Sequence, residues 1–423
     1  MKFEILDSIK RKLLSLPNIS VFTVIVFSDD TILFGTNADL NYIAFKLLVY
    51  FIVAIALLLN LKYNITRLTS LIVLCAIIYS IGFTALLNLD LSAGQFYQIF
   101  IILLSFLIVQ YIDFGRFIGI FKKYIYFLSV TSICIFVIAK NNISILSNFP
   151  IETNSAGLNF INLYFGAVYM DVAEIRNASI FREPGVFMVY ILLAIIFELF
   201  LATKINLKLI FCAFTALIMT FSTGGLILIF IIVAYAIKSN SANFSWKLNF
   251  AIIFFLSTVS FLIFAVELQS DVFSKLNSDS VAFGSTIARV ASVVVNYEIF
   301  SANPIFGSGL ANYGSLFESY SLIYFGFPLD ASSQSSNTLM AIFATYGFLV
   351  GVIVVYGLMR LAAKLTNRFI LQSILFLSIG LIFSSQDMRY SPLFFIMVFY
   401  GLKASPISSP PLRKVNTGVL IGK

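Results

Sequence analysis

The sequence predicts an all-α, polytopic integral membrane protein with about 12 transmembrane helices and two long outer loops. Three observations predict it. Of the 423 residues, 60% are hydrophobic and only 11% charged, and the mean hydropathy is +1.00, far from the composition of a soluble domain of this size. Apolar runs near the ~20 residues that a helix needs to cross a bilayer recur along the chain. The basic residues alternate in step with those runs.

The runs fall at 14–33, 41–61, 68–87, 94–112, 121–139, 181–202, 207–221, 226–238, 247–267, 337–359, 368–385 and 391–403. The first, seventh, eighth and last are the weakest by length or composition, and "STGG" (Ser222 to Gly225) supplies a tight turn between the seventh and eighth. Lys10, Arg11 and Lys12 precede the first run, and no small-x-small cleavage pattern follows it, so it reads as a retained span. With the N-terminus in the cytoplasm and strict alternation, 20 of the 27 Lys and Arg residues collect on the cytoplasmic side. Lys140, Arg176, Arg182, Lys275, Arg289 and Arg389 remain outside, and Lys46 lies near the outer end of the second run, where its stem can snorkel. The net charge of +8 thus follows the positive-inside rule rather than a nucleic-acid surface.

Residues 1–403 read as a single membrane domain, with outer loops at about 140–180 and 268–336, and 404–423 as a cytoplasmic tail. In the second loop "STIARVASVVVNYEIF" (Ser285 to Phe300) has apolar residues at helical spacing and reads as an amphipathic helix at the interface. Turn residues follow it in "SANPIFGSGLANYG". Histidine is absent, which removes the commonest general base and metal ligand. Cys75, Cys134 and Cys212 each sit in an apolar run and read as small core residues. The adjacent Asp29 and Asp30 are weak grounds for a metal site, and neither metal nor cofactor is expected.

The candidate chemistry rests on arginines that stand against the charge bias. In "RNASIFREPG", Arg176, Arg182 and Glu183 lie where the first long loop enters the sixth run, Arg289 lies in the second long loop, and Arg389 in "SSQDMRYSP". A guanidinium offers a planar fork of donors that fits phosphate oxygens in a bidentate way, so several arginines at one membrane face suit a lipid-linked diphosphate. A plain ion pair or a headgroup contact is the competing reading for each of them. Glu183 precedes Pro184 at a helix start, a site for N-terminal charge capping, with a general base as the sharper alternative.

Three stretches resemble the O-antigen polymerase and ligase superfamily of bacterial inner-membrane proteins, and more closely its Wzy-type polymerases. "RNASIFREPG" is similar to the family's Arg, small residues, then Phe-x-Glu-Pro. "ARVASVVVNYEIFSANPIFGSGLANYG" resembles its second long loop, with Arg289 early and Pro304, Gly307 and Gly309 behind. "SSNTLMAIFATYGFLVG" resembles its His-Asn lead into the next span with the glycines Gly347 and Gly351, but here Ser336 stands where ligases carry the histidine. The resemblance implies a metal-independent glycosyltransferase, a polysaccharide polymerase joining undecaprenyl-diphosphate-linked oligosaccharide repeat units into O-antigen or capsular polysaccharide at the periplasmic face. It implies a multi-pass location in the inner membrane, and the charge split places both termini in the cytoplasm. By the same carry-over Arg289, Arg176, Arg182 and Glu183 are the catalytic candidates, and Asn337 and Arg389 contact substrate. Expected partners are the lipid-linked glycan, membrane lipids and a chain-length regulator, with no nucleic acid. A lipid-linked oligosaccharide flippase and an O-antigen ligase are the alternatives. Scarce mid-span charge, and long loops on one side only, favour an enzyme over a flippase.

Overall fold

The computed structural model describes residues 15–35, 40–61, 68–90, 92–146, 148–153, 159–164, 166–170, 175–222 and 281–403, with isolated positions between 227 and 238. The expected span at 247–267, most of that at 226–238, the start of the second loop and the tail 404–423 lie outside the described residues. So do Lys10, Arg11 and Lys12. The described helices longer than one turn are α1 (Leu16–Val26), α2 (Leu40–Asn60), α3 (Leu68–Leu87), α4 (Ala93–Tyr111), α5 (Phe114–Asn141), α6 (Pro184–Leu201), α7 (Leu207–Ile218), α8 (Val281–Ala302), α9 (Gly309–Phe325), α10 (Thr338–Leu365), α11 (Phe369–Ser384) and α12 (Pro392–Leu402). Of these, α2 to α6 and α10 are long and apolar enough to cross a membrane. The polytopic all-α architecture follows.

Apolar composition alone does not say which helices are central, because lipid tails are as apolar as a protein core. The structure decides it. In α6 every residue from Pro184 to Phe200 is buried, as expected of a helix that is hydrophobic on all sides and ringed by others. On α2, Phe45, Leu48, Phe51, Ile52 and Leu59 face outward and form part of the lipid-facing wall. The same reasoning corrects the cysteines: Cys75 and Cys134 lie on outward faces of α3 and α5, not in the core.

One short helix is explained by depth. At 11 residues α12 is ~16 Å long, about half of a hydrocarbon core. It lies beside α10, with Gly401 against the Gly357 carbonyl, and the Lys364 ammonium donates to the carbonyls of Tyr400 and Lys403. Both therefore end at the same level. The segment before α12 runs down beside the first turns of α10. The Met388 N–H donates to Thr338 Oγ1 at 2.8 Å, and Arg389 Nη1 donates to Thr345 Oγ1 at 3.3 Å. Irregular backbone at such depth survives because protein encloses it and supplies its hydrogen bonds.

Both long loops fold. Between α5 and α6 a four-stranded antiparallel meander forms, β1 (Ile151–Thr153), β2 (Asn159–Asn162), β3 (Ala167–Met170) and β4 (Ile175–Ser179), in the order β1-β2-β3-β4. The loop after α1 joins its edge: Ile32 N–H donates to the Ile180 carbonyl at 3.0 Å and Arg182 N–H to the Asp30 carbonyl at 2.9 Å. In the second loop the expected amphipathic helix is α8. It buries Ala291, Val295 and Ile299 in a cluster that also holds Ala341 and Ala344 of α10, rather than lying alone at the interface.

A glycine lock ties that loop to α10. Gly347 interrupts the helix with φ 76° and ψ −170°. The break frees the Phe348 N–H and the Ala344 carbonyl, and the Pro304–Ser308 turn takes both. Phe348 N–H donates to the Pro304 carbonyl at 2.8 Å, and Ser308 N–H donates to the Ala344 carbonyl at 2.9 Å. A Cβ at Gly347 would overlap the Ile305 carbonyl, and one at Gly307 (φ 70°) would overlap the Thr345 carbonyl. The spaced glycines of the sequence thus serve one backbone-to-backbone junction.

Candidate functional site

Polar residues gather at the end of the bundle where the two long loops meet. Asp387 and Arg389 sit two apart in the segment before α12, and this tight spacing lets the guanidinium close on its neighbour. Arg389 Nε lies 3.0 and 3.1 Å from the two Asp387 carboxylate oxygens, and Nη2 lies 2.7 Å from Oδ2. Arg182, just before α6, donates through Nη2 to the Asp387 carbonyl. Residue 387 therefore holds two arginines. The far side of the Arg389 guanidinium stacks on Tyr313 of α9, 4.2 Å from the ring centroid. The Tyr313 hydroxyl donates to Asn296 Oδ1 of α8 at 2.8 Å and lies 2.8 Å from Ser335 Oγ. Thus α8, α9, α10 and the segment before α12 all converge on Arg389.

Burial would raise the Asp387 carboxyl, but Arg389 beside it and Arg182 nearby hold it below the usual carboxylate range. Burial likewise opposes the Arg389 charge, and Asp387 more than restores it. Both remain ionised. Burial pushes the Tyr313 hydroxyl up, so it stays a neutral donor.

A second carboxylate group adjoins the first. The loop after α1 carries Asp29 and Asp30, which the sequence reading weighed only as a weak metal site. Asp29 accepts from Lys46 Nζ at 2.8 Å and from the Tyr97 hydroxyl of α4. Lys46 also donates to the Phe34 carbonyl at 2.7 Å and is 2% exposed. It is a buried ion-pair partner, not a snorkelling residue, because the loop after α1 folds back over α2. Asp30 accepts from the Tyr190 hydroxyl of α6 at 2.7 Å and from Ser391. Among the described residues no group of three or more His, Cys, Asp or Glu side chains could hold a metal ion. Nearby, Tyr50 Oη, Gln98 Oε1 and Tyr346 Oη are buried with no hydrogen-bond partner.

The residues singled out in the sequence separate. Arg182 and Arg389 meet at Asp387. Arg176 points elsewhere: from β4 its Nε and Nη2 donate to the Thr220 and Phe221 carbonyls at 3.1 Å each, just past the end of α7. A cation there meets main-chain carbonyls that the helix leaves unsatisfied. Glu183 is the N-cap residue of α6, with extended backbone and no side-chain cap bond; its carbonyl accepts from Val186 N–H at 3.1 Å. Asn337 is the N-cap of α10, its Oδ1 accepting from Met340 N–H at 3.1 Å. Arg289 is exposed on α8, one turn before Ser292 and two before Asn296. The Ser292 hydroxyl lies 3.2 Å from that of Ser336, the residue at the ligase histidine position.

The sequence reading missed Asp387, Tyr313, Tyr190 and Ser391. For Asp387 the signal was present, an acid two residues from an arginine in a short apolar-flanked loop. The others are polar residues in apolar helices or turns and gain meaning only through packing.

The fold and this cluster define a polytopic membrane protein with, at one end, a buried arginine held by a carboxylate and a half-buried one held by the main chain of the same residue. Residues 209–355, from α7 through the second long loop to the first half of α10, match the family model described as O-antigen ligase. The match covers less than half of the chain and is consistent with the O-antigen polymerase and ligase superfamily. No curated protein matches the chain.

Proposed function

We propose that the chain is a glycosyltransferase that joins undecaprenyl-diphosphate-linked oligosaccharide repeat units into O-antigen or capsular polysaccharide, at the periplasmic face of a bacterial inner membrane. The observation that carries the reading is the convergence of Arg182 and Arg389 on Asp387 at the loop-bearing end. A lipid diphosphate that leaves the anomeric carbon develops charge, and guanidinium groups held in advance stabilise it without reorganisation. Arg289 supplies a third donor from α8, on the flank it shares with Ser292 and Asn296.

The matched family model is described as a ligase, and that is the second reading. Against it stands Ser336, which puts a hydroxyl where the resemblance implies an acceptor-activating histidine. The deciding test deletes the gene and examines surface polysaccharide by gel. A single repeat unit per surface lipid supports a polymerase; complete loss of surface glycan supports a ligase or a flippase. Purified protein supplied with lipid-linked repeat units should lengthen them, and a flippase would not.

A further inference from the structure

Asp30 belongs to neither expected arginine motif, yet it touches both arginine-bearing segments. Its carbonyl accepts the Arg182 N–H at 2.9 Å. Its carboxylate accepts from Ser391, two residues beyond Arg389, and from Tyr190 of α6 at 2.7 Å. Arg182 in turn reaches the Asp387 carbonyl. These contacts close a ring: Asp30 to Arg182, Arg182 to residue 387, along the chain to Ser391, and back to Asp30. Asp30 is 1% exposed, so the ring is fixed from inside the bundle.

We propose that ionised Asp30 is a positioning residue that sets the spacing of Arg182 and Arg389 for a lipid diphosphate. It touches no substrate; it acts through Ser391 and through the Arg182 main chain. The proposal rests on the functional reading of the two arginines given above.

The surroundings fix the sign of its pH dependence. From its own loop Asp29 faces it. From the segment before α6 comes Arg182, with Glu183 beside that arginine, and from α6 itself Tyr190. From α2 comes Tyr50, from α4 Tyr97, and from the segment before α12 Ser391, while Lys46 of α2 pairs with the adjacent Asp29. Burial raises the Asp30 carboxyl above its ordinary 3.8, against the lowering by Arg182, Ser391 and Tyr190. A carboxyl raised on folding favours the folded state below that raised pKa, and the gain is lost as pH rises through it. Ionising Asp30 in the folded protein therefore carries a cost to stability that its neutral form does not. That cost has a use if the charge orients the two arginines.

The test uses the full-length purified protein in lipid nanodiscs, with two readouts. One is affinity for farnesyl diphosphate, a soluble probe with the lipid-diphosphate head, measured from pH 4.5 to 8. The other is the melting temperature over the same range. Asp30→Asn keeps the shape and an acceptor oxygen but removes the charge. The expected result is at least tenfold weaker binding at pH 7.5, loss of the acid limb of the binding curve, and a melting temperature no lower than wild type. Ser391→Ala keeps the carboxylate and removes one hydrogen bond that lowers its pKa, so the acid limb should move to higher pH. Wild-type affinity and an unchanged acid limb in Asp30→Asn would overturn the proposal. So would a fall in binding matched by a fall in melting temperature, since that marks a purely structural residue. If Asp30→Asn does not accumulate, Ser391→Ala carries the test, and an unmoved acid limb overturns the proposal. Failure of the wild type to lengthen lipid-linked glycans would sink the polymerase reading and leave this binding test standing.

Discussion

The two ends of the bundle use their cations in different ways. At the end away from the long loops, lysines terminate helices. Lys238 Nζ donates to the Leu199 and Phe200 carbonyls at the end of α6, at 2.7 and 3.1 Å. Lys403 Nζ donates to the Val109 carbonyl near the end of α4 at 2.6 Å, and Lys364 closes α12. Lys122 pairs with Glu198 at 2.6 Å. The positions of Lys238, Lys364 and Lys403 match the unsatisfied carbonyls and negative pole of a helix C-terminus. At the loop-bearing end both partners come from Asp387, a residue between helices: its carboxylate holds Arg389 and its main-chain carbonyl accepts from Arg182. The difference is where the partners lie: on helix ends at one side of the bundle, in an irregular segment between helices at the other. Arg176 shows that residue type alone does not decide, because it lies at the loop-bearing end and still serves carbonyls past α7.

The largest expected break in this contrast is Arg389→Ala. It removes the proposed donor to a leaving diphosphate, worth about a hundredfold or more in rate. It also strands Asp387 as a buried charge, which costs on the order of 3–5 kcal/mol. Polymer should vanish and membrane levels should drop, as read by a surface-polysaccharide gel and an immunoblot. Asp387→Ala combined with Arg389→Ala should recover protein level and not polymer. Recovery of polymer in the double variant would remove Arg389 from the chemistry.

Next in size is Arg289→Ala. On an exposed helix flank it should leave protein levels normal and reduce polymerisation about a hundredfold. Arg289→Lys should restore only part, because the ammonium lacks the guanidinium fork. Initial rates at matched expression decide; a fully active Arg289→Ala would return this residue to a headgroup contact.

Gly347→Ala addresses the junction between loop and α10. A side chain there is strained at positive φ and overlaps the Ile305 carbonyl, so about 1–2 kcal/mol or more of stability should be lost. The measurable outcome is a lower melting temperature and a loop that proteases cut faster between residues 303 and 330.

The smallest effect on turnover belongs to the opposite end. Lys364→Met removes a hydrogen-bonded charge from two carbonyls, a loss of about 1.5–3 kcal/mol. Turnover per folded molecule should be unchanged. A rate defect at matched folded protein would erase the distinction between the two ends.

The sequence by itself determined the fold class, the long apolar spans and the helix in the second loop, because a bilayer demands long apolar helices and a helix writes its period into the chain. It also marked Arg182 and Arg389 as unusual, because cations on the loop-bearing face oppose the charge bias. It read the first long loop without its sheet, since the strands are three to five residues long and mask no clear alternation. It started α5 seven residues late, at 121 rather than Phe114, because Arg116, Lys122 and Lys123 break the apolar run but not the helix. Tertiary structure alone decided which partner each arginine meets. Lys46 and Asp29 are 17 residues apart, and Asp30 and Ser391 are 361 apart. No local pattern encodes such meetings. Inside a membrane both the core and the lipid face are apolar, so only packing shows which polar side chains turn inward and which partners they find there.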